Sequence, residues 1–156
     1  MACHLQVFAA AFWLITLSGT VAADEPDLVT VLVGEWRGRA VQTPVGPAPY
    51  DIRFQWTGKD KDCISGTADN GFSNHTWTFC RTSAGLTLDF LSDFSGNQEP
   101  IHLRVVSREE GKLVFHAGSH PFMDVLVFPR GRKITVDIMH HDRLHVRIEW
   151  SRPPDG

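Results

Sequence analysis

Residues 50–57, Tyr50-Asp51-Ile52-Arg53-Phe54-Gln55-Trp56-Thr57, alternate apolar and polar at every step. A period of two puts Tyr50, Ile52, Phe54 and Trp56 on one face and polar side chains on the other, which is the pattern of a half-buried strand. Such a strand needs a second sheet or a barrel interior over its apolar side. Similar short segments recur at Leu32–Val41, Cys63–Ala68, His75–Cys80, Leu86–Ser92, Ile101–Arg108, Lys112–Gly118, Phe122–Pro129, Lys133–His140 and Leu144–Trp150. Only Pro26–Val33 carries a helical period, with Asp27 placed to cap it. No helices are available to join parallel strands, so α/β folds are excluded. The spacing predicts an all-β protein, an antiparallel up-and-down barrel of nine or ten strands behind a short N-terminal helix. Thr43–Pro49 and Ser151–Gly156 read as loop.

The N-terminus reads differently. Val7–Leu17 is an apolar run too short to span a bilayer, and Val21-Ala22-Ala23 supplies the small residues of a cleavage site. Residues 1–23 are therefore expected to be a signal peptide, although Met1–Gln6 holds no Lys or Arg, and residues 24–156 a single domain. No long apolar segment follows, so membrane insertion is not expected and the protein should be secreted or periplasmic. The formal charge of −3 and scattered basic residues imply neither nucleic acid nor an anionic membrane as partner.

Removing the signal removes Cys3 and leaves Cys63 and Cys80, an even pair in an exported chain. A hairpin closed around Asn70–Ser73 sets Cys63 across from Cys80, Ile64 across from Phe79, Gly66 across from Trp77 and Ala68 across from His75. One register satisfies both the apolar and the sulfur pairing, which predicts a cross-strand disulfide on the outer face. Likewise, a three-residue loop Glu109-Glu110-Gly111 pairs Val105 with Phe115. A three-residue loop His141-Asp142-Arg143 pairs Ile138 with Val146, Val136 with Ile148 and Ile134 with Trp150. In that last register His140 points inward, while His145 points outward beside Arg147 and Glu149.

The short helix leading into Gly34-Glu35-Trp36 at the start of a meander barrel resembles the opening of the calycin superfamily, which includes lipocalins and fatty-acid-binding proteins. Gly34-Glu35-Trp36-Arg37-Gly38 and the C-terminal His140-His141-x-x-x-His145 are more weakly similar to nitrobindin-like haem-binding barrels. The first resemblance implies a lipocalin-like protein that binds a small hydrophobic molecule inside its barrel. It also implies that Arg152 or Arg147 stacks over Trp36 to close the barrel floor. The second implies haem as cofactor, with His145 or His140 as ligand.

Alternation places Trp36, Tyr50, Phe54, Trp56, His75, Trp77, Phe90, Phe115 and His140 on the inner face, the expected ligand-binding lining. Aromatic walls supply affinity by burial, and a few polar groups fix orientation. Catalytic motifs are absent: no Gly-x-Ser-x-Gly elbow is present. An enzyme of lyase or isomerase type would have to use Tyr50, His75 or His140 for proton transfer. His116, His120, His140, His141 and His145 follow no metal-ligand spacing, so no metal is expected. Asn74-His75-Thr76 matches the glycosylation sequon.

Overall fold

The computed structural model describes residues 27–109, 111–118 and 123–154; the expected signal peptide at 1–23 lies outside the described residues. A five-residue helix α1 (Leu28–Leu32) precedes β1 (Gly34–Gln42), β2 (Ala48–Pro49), β3 (Ile52–Thr57), β4 (Cys63–Asp69), β5 (Asn74–Thr82) and β6 (Gly85–Ser92). Then follow a 3-10 turn at Phe94–Gly96, β7 (Ile101–Glu109), β8 (Lys112–His116), β9 (Asp124–Arg130), β10 (Lys133–His140) and β11 (Arg143–Ser151). From β3 onward each strand pairs antiparallel with the next, and β1 joins β3 on one side and β11 on the other. Ten strands thus close into a barrel, and β2, which arises inside the segment expected to be loop, pairs with β1 outside that circuit. Asp27 makes no side-chain capping bond; its carboxylate instead accepts from the Thr30 hydroxyl at 2.9 Å and pairs with Arg81 at 2.7 Å.

The expected β4–β5 register is the observed one, from Cys63 opposite Cys80 to Asp69 opposite Asn74. The cysteines form a disulfide with Cα atoms 4.1 Å apart, beside hydroxyl pairs Ser65–Thr78 and Thr67–Thr76, each at 2.9 Å. The aliphatic pairings of β10 with β11 are also as expected, but the loop is not. His141 and Asp142 both have positive φ (49° and 59°) and form a two-residue turn that pairs His140 with Arg143. This is the backbone a tight hairpin needs. A bulge restores the aliphatic register: Ile138 faces Val146 while Met139 faces Leu144, leaving His145 as the extra residue. A bulge acts the same way between β7 and β8, where Val105 faces Phe115 but Glu109 pairs with Lys112.

One end of the barrel is plugged. Trp36 is 1% exposed, and its indole N–H donates to the Leu32 carbonyl at 2.7 Å. The Arg152 guanidinium lies 4.4 Å from the Trp36 ring centroid and donates to the Val31 carbonyl at 2.5 Å. Gly34 has φ +110°, and a Cβ there would stand 2.6 Å from that guanidinium, so only glycine lets the arginine cross. Of the two arginines considered for this role, Arg152 fills it; Arg147 instead makes a two-pronged bond to Asp137, both contacts at 2.7 Å. Gly38 has a matching task on the inner wall, where a Cβ would fall 2.2 Å from Trp150 Cδ1. Its absence lets the Trp150 indole donate to the Tyr50 carbonyl at 2.9 Å.

Candidate functional site

The strands converge on an aromatic axis. Phe54, Trp77 and Phe115 face inward as alternation requires, yet each is at most 1% exposed. Their rings meet those of neighbours from distant strands: Trp77 with Trp150 at 5.9 Å, Phe54 with Trp150 at 5.8 Å and Phe79 with Phe115 at 5.8 Å. Side chains this completely covered border no water-sized void. These residues fill the barrel rather than line a cavity, and Trp36 belongs to its plug. Trp56 is half-buried near the plugged end, with Arg81 5.5 Å from its ring centroid.

Toward the end opposite the plug the chemistry changes. Tyr50, held by the turn out of β2, is fully buried, and its hydroxyl lies 2.6 Å from His75 Nδ1 and 3.0 Å from Trp77 Nε1. An indole nitrogen only donates, so the Tyr50 oxygen accepts from Trp77 and its own proton must go to His75 Nδ1. A neutral imidazole accepting at Nδ1 carries its hydrogen on Nε2, which meets Ser73 Oγ at 2.9 Å. The Asn70 carboxamide fixes that loop by accepting from the Phe72 and Ser73 backbone N–H groups, each at 2.9 Å. Burial pushes the Tyr50 phenol far above its ordinary range. Burial also lowers His75, against a smaller opposing pull from the Asp93 carboxylate. Asp93 is itself held low by hydrogen bonds from Asn74.

Beside His75 the buried aromatic core gives way to half-buried apolar side chains. Phe90, 7% exposed, contacts the His75 ring at 5.3 Å and Trp77 at 4.6 Å. Ile101 stands opposite Phe90, Val146 opposite Ile138, and with Met123 they pack half-buried on the core. The period of two that Ile101 shares with Leu103, and Val146 with Ile148, is the signal that places both inward. Met123, two residues before the inward Val125 in the segment 122–129 read as strand, lies just outside β9.

His140, expected inside, is exposed at the end of β10. Its ring lies 4.6 Å from that of His141 and 5.8 Å from that of His145, so the bulge brings together histidines that a simple register separates. Among the described residues no three of His, Cys, Asp and Glu gather closely enough to hold a metal ion; His120 lies outside them. His116 Nδ1 donates to the Asp124 carboxylate at 2.5 Å on the outer wall. A haem does not fit the interior, because Trp77, Trp150, Phe54 and Phe79 occupy the space its macrocycle would need. Among the described residues no helix is long and apolar enough to cross a membrane. The chain matches no protein-family model, and no curated protein is significantly similar to it in sequence.

Proposed function

We propose that this protein is an exported, lipocalin-like protein that binds a small hydrophobic molecule at the end of its barrel opposite the plug, not deep within it. The observation carrying this reading is the set of half-buried apolar side chains Ile101, Met123 and Val146 at the barrel end opposite the plug, where half-buried His75 meets the buried Phe90 ring. The aromatic axis below that level is fully covered, so the half-buried apolar surface above it is where burial could give a small apolar molecule its affinity. Helix, Trp36 and stacked Arg152 at the other end support the calycin resemblance, and the disulfide supports an oxidising compartment. The acid–base reading gains less support, since Tyr50 and both His75 nitrogens are engaged by protein partners.

Native mass spectrometry of protein recovered from its own host, together with titration of an apolar fluorophore, tests the proposal. A retained or titratable ligand should be weakened by Ile101→Ser and by Val146→Ser. Binding unaffected by both variants would refute that end as its location. The three rim histidines favour one other reading, a haem held outside the barrel. A Soret band on adding hemin, lost in His140→Ala or His145→Ala, would move the assignment there.

A further inference from the structure

In sequence order the basic residues are scattered and the chain is net acidic. Closing the barrel regroups them. The pairing of β1 with β11, and of β10 with both β11 and β9, sets Arg37 and Lys133 level with Ser151, Arg39 level with Glu149, and Lys133 level with Arg130. These four cations surround one concavity of about 660 Å³ on the outer wall, with Phe128 and the edge of Trp150 among its lining. All four are exposed, and none makes a side-chain hydrogen bond or ion pair among the described residues. Elsewhere the surface arginines Arg53, Arg81 and Arg147 are paired with Glu35, Asp27 and Asp137. Two carboxylates border the concavity. Asp51 already accepts the Gly38 N–H at 2.8 Å, and Glu149 faces Arg39 across the strands without forming an ion pair. The groove therefore keeps an excess of two positive charges.

We propose that this seam groove binds a soluble small molecule carrying two or more phosphate-type charges. Unpaired guanidinium groups converging on a concavity raise the local positive field and can grip phosphate oxygens bidentately. The volume lies in the range of small-molecule sites, and Phe128 offers an apolar wall to an organic portion. The site is separate from the barrel end opposite the plug and stands whether or not a hydrophobic ligand binds there.

Calorimetric titration with inorganic pyrophosphate at neutral pH and low salt tests it. Saturable one-to-one binding is expected, weakened at least tenfold in Arg37→Gln/Arg130→Gln, weakened less in Lys133→Gln and unchanged in Arg53→Gln. These side chains are exposed, so the melting temperatures of the variants should match the parent and confirm that each is folded. Absence of saturable binding to the parent, or an equal loss in Arg53→Gln, overturns the proposal. Sedimentation with phosphatidylglycerol vesicles that pyrophosphate does not displace also overturns it, by assigning the groove to a membrane surface.

Discussion

Replacing Tyr50 by Phe removes one oxygen and leaves the ring volume unchanged, so the cost can be worked from hydrogen bonds alone. The Trp77 indole N–H, in a residue with no exposed surface, loses its 3.0 Å acceptor. A buried donor stranded in this way costs about 1–3 kcal/mol. His75 Nδ1 loses a 2.6 Å donor as well, but its half-buried ring can recruit water, so its share is smaller. The total is about 2–3 kcal/mol, or a fall in Tm of about 10 °C for a domain of this size. Chemical and thermal denaturation under non-reducing conditions measures it. Trp77→Phe on its own should also destabilise, and the double variant should cost less than the two singles together, because it leaves no stranded donor. A Tyr50→Phe protein as stable as the parent, or strict additivity in the double variant, would refute the relay.

The same relay predicts a pH dependence. Burial holds His75 below its ordinary value of 6.5, so the unfolded chain takes up a proton that the folded one resists. The contribution is fully present above pH 6.5 and is lost as pH falls below it; the stability difference between parent and His75→Gln should narrow in that window. Unfolding curves measured through this range would contradict the argument if the difference stayed constant. Trp36→Ala should cost about 3–5 kcal/mol by emptying the plugged end, and Arg152→Met about 1–2 kcal/mol by removing the stacked charge and its bond to Val31. Equal stability of either variant with the parent in urea would undo the description of that end. Cys63→Ala/Cys80→Ala frees a loop with a sequence separation of 17 and should lower stability by about 3 kcal/mol; intact protein should show two hydrogens fewer by non-reducing mass spectrometry.

Strand identity and most registers were legible because alternation is a local signal, and in β4–β5 the apolar and sulfur pairings demanded one alignment. The bulges were not legible. A three-residue loop and a two-residue turn plus bulge pair the same aliphatics, and only the positive φ of His141 and Asp142 distinguishes them. That ambiguity hid the meeting of His140 with His145. Inward direction was also readable for Phe54, Trp77 and Phe115, but not whether those rings would leave a space between them. The answer depends on side chains from strands far apart in sequence meeting on the axis, as Trp77 and Trp150 do. The basic groove escaped for a related reason: its residues become neighbours only where the first and last strands join.

That join also governs how the barrel is made. Arg37 pairs with Ser151, a separation of 114 residues, whereas most other strand neighbours are linked by short turns. Hairpins can form early and zip into a curved sheet, but the circuit cannot shut until β11 arrives, and bringing its ends together pays the loop entropy of nearly the whole domain. Until then β1 and β11 present bare edges able to capture strands of another molecule. The seam, more than the aromatic core, therefore sets the pace of folding and the window in which aggregation competes with it.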